Sequence, residues 1–137
     1  MANDTPIKDV MSEEPRVVHR NDTLTLADEL MREEHFRHLA VLDEYEKVCG
    51  IVSERDIFRG ALLRALGYGE RAETKMLKTM LIKEVMSRDV VTVAPNDSVA
   101  TAANLMIERK IGCLPVVADD RKLIGIVTES DLLRVLI

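Results

Sequence analysis

Two short stretches each place a hydroxyl residue three positions before an acid, directly after an apolar run. They are GIVSERD at residues 50–56 and GIVTESD at residues 125–131. A carboxylate is a strong hydrogen-bond acceptor, and a Ser or Thr hydroxyl both donates and accepts. At the start of a helix this spacing forms a capping box, which stabilises the helix without a ligand. The local spacing alone therefore favours a cap, and any further role depends on the elements that position these side chains.

The chain contains two tandem copies of one sequence repeat. A shift of 75 residues aligns residues 7–62 with residues 82–137 without a gap, and 21 of the 56 aligned pairs are identical. The matching motifs are IKDVMS with IKEVMS, an Asn-Asp pair at 21–22 and 96–97, and KVCGIVSERD with KLIGIVTESD. We therefore divide the chain into a first repeat at 1–66, a linker at 67–81 and a second repeat at 82–137.

Each repeat is expected to fold as β-α-β-β-α. In the first repeat the hydrophobic period predicts strands at 16–18, 38–42 and 47–52, with helices at 24–34 and from Glu54. In the second it predicts strands at 91–93, 113–117 and 122–127, with helices at 99–109 and from Glu129. Thr23 and Ser98 are the predicted N-caps of the first helices.

The linker is predicted to break one helix at residues 67–69 and to form another at residues 71–80. One repeat of this size offers only a three-stranded sheet with a face to cover, which is marginal alone. We therefore expect an α/β (α+β) fold in which the two repeats pack about a pseudo-twofold axis.

Composition excludes several classes of protein. The net charge of −5 argues against a nucleic-acid binder, which needs a basic surface. No apolar run approaches the roughly 20 residues that cross a bilayer, and the N-terminus is too acidic for a secretory signal. A cytoplasmic protein without a membrane partner is expected.

Neither catalysis nor metal binding is predicted. Cys49 and Cys113 are not spaced as metal ligands and are interpreted as free thiols. His19, His35 and His38 lack a ligand motif and a fourth partner for zinc. No Ser-His-Asp or Cys-His arrangement has a local signature, so the chain is not expected to be an enzyme.

The last helix of each repeat is unusually apolar. The second ends in DLLRVLI, and Ile57, Phe58, Ala61 and Leu62 form the matching surface in the first. Because such a surface must be covered, we expect these helices to form a homodimer interface as well as an internal one. The alternative is that the N-terminal segment and the linker helix cover them.

The ordered set of motifs resembles a cystathionine β-synthase (CBS) domain pair, also called a Bateman module. The motifs are IKxVMS, the Asn-Asp-hydroxyl turn, LPVV and GIV[ST]xxD, and the resemblance runs from Ile7 to Ile137. It implies a regulatory module that binds AMP, ADP, ATP, NAD or S-adenosylmethionine and has no catalytic cofactor. Relatives often carry an enzyme, channel or transporter. We expect no such domain in this protein and therefore a stand-alone sensor that acts on a separate effector protein or through its own dimer.

The resemblance and elementary chemistry together assign a candidate site. A carboxylate can accept hydrogen bonds from both hydroxyls of a ribose. We therefore predict that Asp56 and Asp131 bind the ribose. Ser53 and Thr128 stand at helix starts, where a phosphate finds free N–H groups. The adenine ring is expected to face the apolar positions Val17, Val18, Thr92 and Val93.

The family also implies phosphate contacts from Arg37, His38 and Arg55, whose alternative roles are solvated charges and an ordinary histidine. The second repeat has Gly112, Cys113 and Ser130 at these positions, and Pro115 opposite Ala40. The two sites should therefore differ, and which one binds more tightly stays open. The rival function is a ligand-independent interaction module, in which both acids only cap helices.

Overall fold

The computed structural model describes residues 2–65 and 78–135. The chain divides into two compact units, which we name after their acids. The Asp56 unit contains Arg16–Tyr45 and Cys49–Val90, and the Asp131 unit contains Met1–Pro15, Glu46–Val48 and Val91–Ile137. The predicted helix break at residues 67–69 and most of the helix predicted at 71–80 lie outside the described residues.

The described elements alternate strands and helices in both halves of the chain. Before the linker they are β1 (Ser12–Glu13), β2 (Val17–His19), α1 (Leu24–Glu34), β3 (His38–Leu42), β4 (Val48–Ser53) and α2 (Glu54–Ala65). After it they are α3 (Val99–Arg109), β5 (Cys113–Val117), β6 (Leu123–Thr128) and α4 (Glu129–Val135). One sheet has the order β2-β3-β4 and the other β1-β6-β5.

This architecture confirms the predicted mixed α/β fold with two repeats. The bounds of α1 and α3 and the starts of α2 and α4 are as predicted, while β4 and β6 lie one residue later. The strand predicted at residues 91–93 is reduced to one parallel bridge between Val93 and Val116.

The turn before each first helix is closed by the acid of the Asn-Asp pair. Asp22 accepts a hydrogen bond from the His19 N–H at 2.7 Å, and Asp97 accepts one from the Ala94 N–H at 2.8 Å. Thr23 and Ser98 are the N-caps, as predicted. The Ser98 hydroxyl accepts from the Thr101 N–H at 3.1 Å, whereas the Thr23 side chain makes no capping bond.

The opening segment of each repeat packs in the compact unit that carries the other repeat's sheet. In the Asp131 unit, the Ile7 N–H donates to the Asp97 carbonyl at 2.8 Å, and Ser12 pairs with Ile126. In the Asp56 unit, the Ile82 N–H donates to the Asp22 carbonyl at 2.9 Å. Each IKxVMS motif thus completes the fold of a sheet that lies far away in the sequence.

Two glycines permit this exchange. A Cβ added to Gly50 would lie 2.5 Å from the Met86 sulfur and 3.0 Å from the Ser87 carbonyl oxygen. At Gly125 the same distances separate the added atom from Met11 and Ser12. The glycine of each GIV motif is therefore required by the close approach of the exchanged segment.

Each unit has its own core between sheet and helices. The Asp56 unit buries Val18, Leu24, Ala27, Met31, Leu39, Val41, Val52, Ile57, Met80 and Ile82. The Asp131 unit buries Ile7, Val93, Ala102, Met106, Leu114, Val116 and Val127. No helix among the described residues has the length and apolar character needed to cross a membrane.

The apolar surface predicted on α2 divides into a buried part and an exposed part. Ile57 is 5% exposed and lies in the core of the Asp56 unit. Phe58, one residue and about 100° further around the helix, is 61% exposed, and Leu62 is 44% exposed. The side chain of Ala61 is not described. On α4, Leu133 is 60% exposed and continues the same pattern.

Candidate functional site

Both hydroxyl–acid pairs form the predicted capping boxes. The Ser53 N–H donates to Asp56 Oδ2 at 2.9 Å, and the Asp56 N–H donates to Ser53 Oγ at 3.0 Å. The Thr128 N–H donates to Asp131 Oδ2 at 2.9 Å, and the Asp131 N–H lies 3.4 Å from Thr128 Oγ1. The backbone at each strand–helix junction therefore fixes where the carboxylate stands.

The carboxylate of Asp131, in the second capping box, has more contacts than the carboxylate of Asp56 in the first. The Thr128 hydroxyl also donates to Asp131 Oδ2 at 3.1 Å, and Arg134 Nη1 lies 3.5 Å from Asp131 Oδ1. Asp131 is 6% exposed, whereas Asp56 is half-buried. Within residues 2–65 and 78–135, Asp56 Oδ1 and the Ser53 hydroxyl proton have no partner.

Strands β3 and β5 begin beside these boxes. In the second repeat, β5 pairs with β6 in antiparallel register, with Cys113 opposite Thr128. The Gly112 carbonyl accepts from the Glu129 N–H at 3.2 Å, and the Arg37 carbonyl accepts from the Glu54 N–H at 2.9 Å. The backbone of Arg37 therefore contacts the first residue of α2. That residue, Glu54, directly precedes Arg55 and stands two positions before Asp56.

The short first strand begins at the same edge of the sheet. β2 pairs with β3 in parallel, with Val17 opposite Ala40, so both strands run away from the start of α2. Val17 and Thr92 are half-buried. Val18 and Val93 are 1% and 3% exposed and pack in the cores, so a bound ring could meet only their backbone.

The predicted residues separate by repeat into the two units. Val17, Val18, Arg37, His38, Ser53, Arg55 and Asp56 belong to the Asp56 unit, and Thr92, Val93, Thr128 and Asp131 belong to the Asp131 unit. Each unit thus contains a ribose candidate, a Ser or Thr hydroxyl and a segment expected to face the adenine. The basic candidates all belong to the Asp56 unit.

The basic residues of the Asp56 unit differ in their surroundings. Arg37 and Arg55 are exposed and form no ion pair within the described part of the chain. His38 is half-buried at the start of β3. Arg16, which precedes β2 and was not predicted, forms an ion pair with Glu34 at 2.9 Å.

The remaining histidines and thiols are outside this arrangement. His35 is the exposed C-cap of α1, with a left-handed φ of 59°. Cys113 is buried, and its desolvation raises the thiol pKa to about 12. Burial also raises the pKa of Cys49, and the Asp43 carboxylate adds to this effect. Among the described residues no group of His, Cys, Asp and Glu is placed to hold a metal ion.

The match to a known protein family covers the same two repeats. The family model described as the CBS domain matches residues 7–62 and 82–137. The L-aspartate semialdehyde sulfurtransferase of Methanocaldococcus jannaschii is 31% identical over 130 residues, which cover 95% of this chain and 23% of the relative. The chain therefore spans about a quarter of the length of this relative.

Two solved structures are similar over almost the whole chain. The CBS domain pair of protein MJ0100, in complex with 5′-methylthioadenosine and S-adenosyl-L-methionine, matches with a TM-score of 0.77 and 30% identity, covering 96% of this chain and 95% of that one. CBSX2 in complex with AMP matches with a TM-score of 0.77 and 26% identity, covering 96% and 95%.

Proposed function

The chain belongs to the CBS domain family, and we propose that it is a regulatory CBS domain pair that binds an adenosine nucleotide and has no catalytic role. One observation carries this proposal. Each unit holds a carboxylate at a strand–helix junction through the backbone N–H of a Ser or Thr three residues earlier, and the same unit contains the segment expected to face the adenine. Relatives with this fold bind AMP, S-adenosyl-L-methionine or 5′-methylthioadenosine.

The chemistry of an adenosine ligand fits these groups. Asp56 or Asp131 accepts hydrogen bonds from the two ribose hydroxyls. The Ser53 or Thr128 hydroxyl lies at the start of the same helix, where a phosphate would find free N–H groups. Val17 and Thr92 offer half-buried side chains to the flat adenine ring, whose polar edge meets strand backbone.

The proposed positive contacts come from Arg37, His38 and Arg55. A guanidinium matches the geometry of a phosphate and binds it through two parallel hydrogen bonds. Arg37 and Arg55 are exposed and have no acidic partner in the described residues, so binding an anion breaks no ion pair of theirs.

Regulation requires that the ligand bind one arrangement of the protein more tightly than another. We propose that loading changes the relative arrangement of repeats or protomers and that an effector protein reads the change. AMP, ADP or ATP is the proposed ligand class, with NAD and S-adenosylmethionine as further adenosine-bearing candidates.

A thermal shift panel tests the proposal. The melting temperature of the wild type is measured with AMP, ADP, ATP, NAD and S-adenosylmethionine up to millimolar concentration. A ligand at about 100 times its Kd stabilises the folded state by about 2.7 kcal/mol, which raises the melting temperature by several degrees. If none of the five ligands raises the melting temperature, the proposal of nucleotide sensing is refuted.

A second function is favoured by the exposed apolar residues of the last helices. Phe58 and Leu133 stand at equivalent repeat positions and are 61% and 60% exposed. In this alternative the chain is a ligand-independent interaction or dimerisation module, and Asp56 and Asp131 act only as caps. Replacing either acid by Ala would then cost about 1 kcal/mol in free energy of unfolding without affecting any ligand response.

A further inference from the structure

We infer that the two sites differ in affinity for a phosphorylated nucleotide: the Asp56 unit binds it more tightly, while the Asp131 carboxylate is withheld by its contacts with Thr128 and Arg134. This inference rests on the proposed function and concerns what distinguishes its two sites. Three independent features of the described residues carry it, and all of them point to the Asp56 unit.

The first feature is the availability of carboxylate oxygens. A ribose diol brings two donors, so the acid that binds it needs acceptor capacity that the cap does not use. Asp56 Oδ2 accepts from the Ser53 N–H, and Asp56 Oδ1 has no partner in the described residues. Asp131 Oδ2 accepts two donors from Thr128, and its Oδ1 is paired with Arg134. A ribose at Asp131 therefore competes with contacts that Asp56 does not have.

The second feature is the hydroxyl proton. The Thr128 hydroxyl donates its only hydrogen bond to Asp131 Oδ2, at 3.1 Å. The Ser53 hydroxyl accepts from the Asp56 N–H at 3.0 Å and donates to no described acceptor. Ser53 can therefore donate to a phosphate oxygen without losing any bond, whereas Thr128 must first give up its bond to the Asp131 carboxylate.

The third feature is positive charge. The hydrogen bond from the Glu54 N–H to the Arg37 carbonyl, 2.9 Å long, places Arg37 beside the helix turn that carries Arg55. Both arginines are exposed and have no acidic partner among the described residues, so their charges are available to an anion at this helix start. The equivalent positions in the Asp131 unit are Gly112 and Ser130, which carry no charge.

Arg134 is assigned a positioning role at the withheld site. Its counterpart at the equivalent repeat position is Arg59, which forms no ion pair within the described residues. Both repeats have an arginine at this position, and the two differ in one contact. Arg134 lies 3.5 Å from the Asp131 carboxylate, and Arg59 makes no such ion pair in the described residues. They supply a matched pair of substitutions.

The test is a calorimetric titration with AMP. We expect a tighter and a weaker step, or a single step of one AMP per chain. Asp56→Asn keeps an acceptor for the Ser53 N–H and should weaken the tighter step about tenfold or more, since hydrogen bonds to a charged group are lost. Asp131→Asn should affect only the weaker step. Loss of the tighter step in Asp131→Asn, or two equal steps in the wild type, would overturn the inference.

Chemical probes separate the diol from the phosphate. In the wild type, 2′-deoxy-AMP should bind the tighter site about tenfold more weakly than AMP, and Asp56→Asn should remove that difference. The double variant Arg37→Gln/Arg55→Gln should weaken AMP binding and leave adenosine binding nearly unchanged. A deoxy effect that survives in Asp56→Asn, or equal losses for AMP and adenosine, would contradict the assigned roles.

The matched arginine pair tests the withheld site. Arg134→Gln should strengthen the weaker step about two- to threefold, in keeping with an exposed ion pair, and Arg59→Gln should change neither step. Equal effects of the two variants would overturn the role of Arg134. If the wild type binds no nucleotide at all, the proposed function itself fails, whereas the other contradictory outcomes leave it standing.

Discussion

Single residues in this chain have more than one use, and their surroundings decide which use is realised. Asp56 and Asp131 occupy equivalent positions and make the same backbone cap, yet only Asp131 is also bound by a hydroxyl proton and a guanidinium. The sequence predicts the cap, because the spacing of a capping box is local. It cannot predict the difference, because Arg59 and Arg134 are the same residue type and their contacts depend on side-chain conformation.

Cys113 provides a prediction at the residue scale. Burial raises the pKa of its thiol to about 12 from the ordinary value of 9.0. The folded state therefore keeps the proton at a pH where the unfolded state loses it, so this contribution to stability is intact below pH 9 and declines above it. By pH 10 the free energy of unfolding should fall by about 1 kcal/mol more than in Cys113→Val, which has no titrating thiol.

Urea unfolding between pH 7.5 and pH 10 measures this difference. The other titrating groups are common to both proteins, so the difference between the two curves isolates Cys113. Curves that stay parallel across this range would show that the thiol ionises normally in the folded protein.

At the scale of elements, the sequence predicts the helices and central strands closely but not their exchanged partners. The bounds of α1, α3, β3 and β5 follow from hydrophobic period and N-cap residues, which are local signals. The packing of residues 7–12 in the Asp131 unit is non-local. A shift of 75 residues identifies equivalent positions and cannot identify which strand each segment joins. The one available signal was the glycine inside each GIV strand, since such a glycine often marks a close backbone approach.

That close approach gives the prediction at this scale. Gly50→Ala and Gly125→Ala should each lower the free energy of unfolding by about 1–3 kcal/mol, because the added methyl overlaps a methionine sulfur and a carbonyl oxygen. Asn104→Ala, an exposed change on α3, should stay within about 0.5 kcal/mol of the wild type. Urea unfolding at neutral pH compares the three variants.

A double-mutant cycle with Met86→Ala sharpens the same prediction. Removing the sulfur should reduce the cost of Gly50→Ala without abolishing it, because the Ser87 carbonyl oxygen remains 3.0 Å from the added carbon. If Gly50→Ala costs no more than Asn104→Ala, the exchanged segment is not held as closely as described.

At the scale of the whole molecule, the exposed apolar residues of the last helices favour self-association. Phe58, Leu62 and Leu133 are large and exposed, and such residues are costly to leave in water. We predict that the wild type sediments as a homodimer at micromolar concentration and that Phe58→Glu/Leu133→Glu sediments as a monomer. Ile107→Glu is the matched control, because Ile107 is 76% exposed on α3 and has no apolar counterpart in the first repeat.

Analytical ultracentrifugation distinguishes the outcomes. A monomeric wild type, or a dimer that both charged variants leave intact, would contradict the role of the last helices. Dissociation by Ile107→Glu alone would instead place the interface on α3.

The central claim, that this CBS domain pair binds an adenosine nucleotide through its helix-capping acids, is tested most directly by calorimetric titration of AMP into the wild type and into Asp56→Asn/Asp131→Asn. Both proteins should melt cooperatively, since Asn retains an acceptor for each cap. We predict saturable heat in the wild type and at least about tenfold weaker binding in the double variant. Equal binding by the two proteins, or no binding by the wild type at millimolar AMP, would contradict the claim.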